Sequence, residues 1–88
     1  MKNHLKSLSK REAFIGNEVL HLISYQPFYD TLYKKSMTEY ALIFKHGISA
    51  NTLYRMKKGE AITTKTIDTL CFILDCTVPE ILEYKKPT

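Results

Sequence analysis

Residues 37–59, MTEYALIFKHGISANTLYRMKKG, decide how this chain folds. They read as two short helices joined by a tight turn. Thr38 is placed to cap the first helix and Ser49 the second, because a hydroxyl oxygen just before a helix accepts from a first-turn N–H that no carbonyl can reach. Gly47 stands where the chain must leave the first helix in a left-handed conformation, and Gly59 ends the second. An apolar spacing repeats around both caps, Met37 with Leu42 and Ile48 with Leu53. A residue before the cap that packs on the fourth helical residue fixes the angle of chain entry. Two helices crossing steeply over a short turn can present one of them to a groove. The presented helix carries Asn51, Tyr54, Arg55, Lys57 and Lys58.

The same device recurs downstream. Ile62, Thr63 and Ile67 repeat it, and so do Cys76, Thr77 and Ile81, with Thr77 and Glu80 at capping-box spacing. Between them, Ile67, Leu70, Cys71 and Leu74 form the buried stripe of a helix over residues 64–74, which Asp75 leaves; Phe72 lies off that stripe. Pro79 suits the first turn of a last short helix. Upstream, Phe28, Tyr29 and Leu32 share one face of a scaffold helix over residues 27–35, with Lys34 and Lys35 at its negative end. Residues 22–25, LISY, form a brief β-capable run stopped by Pro27. Residues 1–21 are the least patterned. Ser9 with Glu12 predicts a helix over about 10–20, although Gly16 interrupts it, and Lys2, Lys6, Lys10 and Arg11 suit either a solvated terminus or an arm on phosphates.

Eighty-eight residues make one domain, and a chain this short buries only about 60–65% of its unfolded surface, so its core must be compact. A hydrophobic fraction of 44% excludes a wholly disordered chain. The net charge of +4 is unevenly spread: residues 45–65 hold five basic side chains against Glu60 alone, whereas residues 66–83 hold four acidic ones and no basic one. The basic side therefore coincides with the second motif helix, which points to an anionic partner. Cys71 and Cys76 are too few for a disulfide scaffold and lack the clustering of a zinc site, so they read as small buried apolar residues. With no secretory signal or membrane-spanning apolar run, the expected location is cytoplasmic, with no membrane partner. His4, His21 and His46 stand in no catalytic arrangement, so no enzyme is expected.

Residues 37–59 resemble, without gaps, the helix-turn-helix of the phage-repressor and Cro-like (XRE) family of DNA-binding proteins. The marks are Thr38, Leu42, Gly47, Ile48, Ser49, Thr52, Leu53, Arg55, Met56 and Gly59. Four positions depart from the family pattern: Ile43 replaces a small Ala, Glu39 a Gln, His46 an apolar residue, and Ala50 a long polar reader. The resemblance implies an all-α, compact repressor-like domain of about five helices over residues 22–84. Relatives sharing the ISYxP beginning imply a short terminal β-pair, residues 22–25 against 83–85. Residues 1–21 fall outside as an N-terminal extension, mobile or a short helix, and 85–88 form a basic tail.

What the resemblance implies for function is sequence-specific binding of double-stranded DNA by a small transcriptional regulator, with a recognition helix over about 50–58 in the major groove. Carried over position by position, Ala50, Asn51 and Arg55 face bases and Tyr54 flanks them. An Asn amide pairs with adenine, an Arg fork with guanine, and an Ala methyl can meet thymine. Lys57, Lys58, Thr63, Thr64 and Lys65, with the cap hydroxyls of Thr38 and Ser49, suit phosphates. No cofactor is implied. Many relatives dimerise on palindromic sites, which leaves a homodimer open. The alternative function is a protein-binding module, such as an antitoxin or adaptor, engaging a partner through Phe72 or residues 1–21.

Overall fold

The computed structural model describes Phe14–Ile15, Glu18–Val19 and residues 22–86, with side chains for the last span. In chain order the elements are β1 (Phe14–Ile15), β2 (Glu18–Val19), β3 (Ile23–Ser24), α1 (Gln26–Lys34), α2 (Glu39–Phe44), α3 (Ala50–Lys57), α4 (Thr64–Leu74), a 3-10 turn (Val78–Glu80) and β4 (Glu83–Tyr84). The strands form two antiparallel pairs, β1 with β2 and β3 with β4.

Three helices begin on the hydroxyls that the sequence offers. Thr38 Oγ1 accepts from the Ala41 N–H at 3.0 Å, Ser49 Oγ from Thr52 at 3.1 Å, and Thr63 Oγ1 from Thr66 at 3.1 Å. Each such cap stabilises its helix by about 1 kcal/mol. α1 has no side-chain cap and instead carries Pro27 in its first turn, where a missing N–H costs nothing.

Three helices also end alike. Ser36 (φ 55°), Gly59 (φ 75°) and Asp75 (φ 51°) take the left-handed conformation, and the residue after each donates its N–H back five positions: Met37 to Leu32, Glu60 to Arg55, and Cys76 to Cys71, at 2.9, 2.8 and 3.0 Å. This reversal satisfies end carbonyls and commonly brings together the side chains of the two residues it joins. Leu32 and Met37 both join the core, as do Cys71 and Cys76. The pair on α3 is Arg55 and Glu60. α2 leaves differently, through Gly47 (φ 77°), with Ile48 N–H bonded to Leu42 O at 2.9 Å.

The core gathers Tyr25, Phe28, Leu32, Leu42, Ile48, Leu53, Met56, Leu70, Leu74 and Ile81, so every helix and both motif staples contribute. Phe28, Leu42, Leu70 and Ile81 are wholly buried. Two hydroxyls tie distant segments across it: Thr31 Oγ1 donates to Glu80 O and Tyr25 Oη to Glu60 O, each at 2.8 Å. β3 pairs with β4 in the register Ile23↔Tyr84 and Ser24↔Glu83, the expected terminal pair.

Three expectations need correction. Among the described residues there are four α-helices, and the expected fifth is a single 3-10 turn. Only five residues separate Thr77 from β4, and Ile81 must reach the core among them, which leaves room for one turn. The helix expected over residues 10–20 is not what Phe14–Ile15 and Glu18–Val19 form, since they pair as strands with Ile15 opposite Glu18. The sequence also places Gly and Asn at positions 16 and 17, both weak helix formers. The rest of residues 10–20 lies outside the described residues, as do Lys2, Lys6, Lys10, Arg11, His4 and His21. Finally, Cys71 and Cys76 are half-buried rather than buried; burial, the neighbouring Cys71 and Glu80 push the Cys76 thiol up to about 11.

The Glu80 carboxylate accepts from the Thr77 N–H at 2.9 Å and from the Thr77 hydroxyl at 3.1 Å, and these bonds hold its pKa below the ordinary 4.5. A depressed carboxylate contributes stability that is present above its unfolded value and lost as pH falls through the folded one. Glu80→Gln is therefore expected to flatten the loss of thermal stability below about pH 4.5 while leaving the profile above pH 6 unchanged in slope, read from melting curves across pH.

Candidate nucleic-acid interface

Leu53 and Met56 bury one face of α3, and Thr52 is half-buried beside them. Opposite, Ala50, Asn51, Tyr54 and Lys57 are exposed, as the helical period requires. Arg55 departs from the outward placement expected of it. Its Nε donates to Ala61 O at 3.0 Å and its Nη1 lies 3.3 Å from Glu60 Oε1, so the guanidinium lies against the α3–α4 connection. Lys58 Nζ stands 5.1 Å from the centre of the Tyr54 ring and 3.9 Å from Glu60 Oε2.

The cap residues keep a proton to give. Thr38 and Ser49 accept through their hydroxyl oxygens, which leaves each O–H able to donate to an anion. Thr63 shares its hydroxyl with Thr66 at 3.0 Å, with either oxygen as donor. Thr64 and Lys65 are exposed in the first turn of α4, where free N–H groups favour negative charge. An open hollow of about 410 Å³, walled by Thr52, Arg55, Ala61, Ile62, Thr63 and Thr66, lies between α3 and the start of α4. It brings Arg55 and Thr63 to one place. The walls do not include Ala50, Asn51, Tyr54, Thr38, Ser49, Lys57, Lys58, Thr64 or Lys65.

Sequence reasoning missed Glu60, which counted only as the acidic exception in a basic stretch. The signal was Gly59: a left-handed glycine at a helix end sets the next residue beside the one five positions earlier. Of the departures from the family pattern, Ile43 packs partly buried against the core, Glu39 is half-buried, and His46 is exposed.

The exposed helix of a capped two-helix motif, flanked by lysines and a second capped helix start, is the geometry of a DNA-binding class. A family model for the Cro/C1-type helix-turn-helix DNA-binding domain matches residues 31–87, and the chain belongs to that family. Its fold is similar to the crystal structure of the transcriptional regulator VanUg, with a TM-score of 0.67 and 23% identity over 74% of this chain and 87% of that one. No curated protein matches the sequence. Among the described residues no helix is long and apolar enough to cross a membrane, and no group of three or more His, Cys, Asp or Glu is placed to hold a metal.

Proposed function

We propose that this domain binds double-stranded DNA sequence-specifically as a small transcriptional regulator, with α3 in the major groove. The observation that carries the reading is the exposed row Ala50, Asn51 and Tyr54 on a helix whose other face is locked into the core. In this reading Asn51 pairs with an adenine edge, Ala50 offers a methyl, Tyr54 flanks them, and Arg55 reaches a guanine. Lys57, Lys58, Lys65 and Thr64, with the cap hydroxyls of Thr38, Ser49 and Thr63, engage phosphates and fix the register. Few hydrogen bonds then read the site.

The test is a salt titration of binding to mixed-sequence duplex, followed by selection of preferred sites. A log-log slope equivalent to several phosphates is expected, at about 0.9 per phosphate. On the selected site, Asn51→Ala is expected to relax one adenine position at a cost of about 1–3 kcal/mol, with the salt slope unchanged. Absence of salt-dependent binding would defeat the reading. The protein-partner reading would then take over, favoured by Phe72, which is 87% exposed on α4.

A further inference from the structure

Of the three helices that end in the same left-handed reversal, two set apolar or thiol side chains across it, and α3 alone sets an ion pair there. The acid in that pair is rigidly placed. Glu60 N–H is bonded to Arg55 O at 2.8 Å, and Glu60 O accepts from the core residue Tyr25 at 2.8 Å, so both sides of its backbone are fixed. Its carboxylate meets Arg55 at 3.3 Å while Ala61 O accepts from the Arg55 Nε–H. One guanidinium donor is thus hydrogen-bonded inside the protein, and the charge of the group faces Glu60.

The pair is substantially exposed, at 43% and 38% for the two side chains, so it is weak and can be given up. What replaces it decides whether anything is gained. A phosphate, which can itself accept two parallel bonds from the guanidinium, gives Arg55 one anion in place of the anion Glu60 already supplies, close to an even exchange and one that carries no sequence information. A guanine edge offers two parallel acceptors, O6 and N7, and discriminates by about 5- to 150-fold. Glu60 is not stranded when Arg55 departs, because its side chain is 38% exposed and water can solvate it.

We propose that Glu60 is a specificity-determining positioning residue: it holds Arg55 in reserve, so that the guanidinium adds little to non-specific DNA binding and is committed only where a guanine lies within reach. The inference rests on the DNA-binding reading above.

A double-mutant cycle on two duplexes tests it. On mixed-sequence duplex, Glu60→Gln is expected to raise affinity about three- to tenfold, with a salt slope steeper by about 0.9, and Arg55→Ala to cost more in the Glu60→Gln background than in the wild type. Adding Arg55→Ala to Glu60→Gln should abolish both the gain and the steeper slope. On the selected duplex, Arg55→Ala alone should weaken binding about 5- to 150-fold. If the gain from Glu60→Gln persists without Arg55, Glu60 acts only as a generic negative charge and the proposal is overturned while DNA binding stands. If Arg55→Ala weakens mixed-duplex binding equally with and without Glu60, it is likewise overturned. A wild type that binds neither duplex overturns this proposal and the DNA-binding reading together. Both side chains are only partly buried, and melting temperatures matching the wild type would show that all variants are folded.

Discussion

Phe28→Ala is expected to destabilise the domain by about 3–5 kcal/mol, among the larger effects of truncation at the described residues. The side chain has no exposed surface and packs edge-on against Tyr29 with ring centres 5.0 Å apart. At roughly 0.05–0.15 kcal/mol per residue, a chain of this size holds only about 4–13 kcal/mol in total. Losing 3–5 therefore removes a large share and can leave much of the population unfolded at physiological temperature. Urea denaturation followed by circular dichroism reads it as a lower midpoint with little change in slope. Phe72→Ala is the matched control. That ring is 87% exposed, so its removal should shift stability by no more than about 0.5 kcal/mol.

Lys57→Ala/Lys58→Ala should produce a large loss of DNA binding on any sequence. If each lysine neutralises one phosphate, the log-log salt slope falls by about 1.8 and affinity at 0.1 M salt falls on the order of 50-fold. Neither lysine supports the core: Lys57 is exposed, and Lys58 rests on Tyr54 and Glu60 at the surface. Stability should accordingly stay near the wild-type value. Titrations at four or five salt concentrations measure slope and affinity together. An unchanged slope would mean that the end of α3 lies away from DNA, and the proposed orientation would fail.

Much of the fold was legible because its signals are local. Thr38, Ser49 and Thr63 lie within three residues of the N–H groups they cap, and Gly59 needs only its own φ to end a helix. The bounds of α4 follow from one apolar stripe between a hydroxyl and Asp75. The terminal β-pair was legible for a different reason, through the resemblance of the ISYxP beginning to relatives that imply it. Where reading failed, a nonlocal demand outweighed a local one. The Thr77–Glu80 capping spacing does start a turn, but the distance to β4 stops it from growing into a helix. Ser9 and Glu12 suggested a helix start, yet Phe14–Ile15 and Glu18–Val19 pair as antiparallel strands.

The exposure of the candidate site residues was legible to the same degree. Helical period alone placed Ala50, Asn51 and Tyr54 outward and Leu53 and Met56 inward. It placed Arg55 outward as well, because period fixes where Cβ points and says nothing of where a long side chain goes afterwards. Three freely rotating methylenes let the guanidinium fold back to Ala61 and Glu60. That contact depends on the left-handed turn at Gly59, a tertiary detail the helical stripe does not carry.

The β3–β4 pair has a mechanical consequence. Lys85 N–H meets Leu22 O at 2.7 Å, so the segments leading into and out of the helical body run side by side in opposite directions. Tension applied through those two segments would load the pair in the unzipping direction, breaking one bond at a time rather than shearing several together. The helices would feel the pull only after Ile23 and Ser24 had parted from Tyr84 and Glu83, which makes this short ladder the weak link of the domain under force.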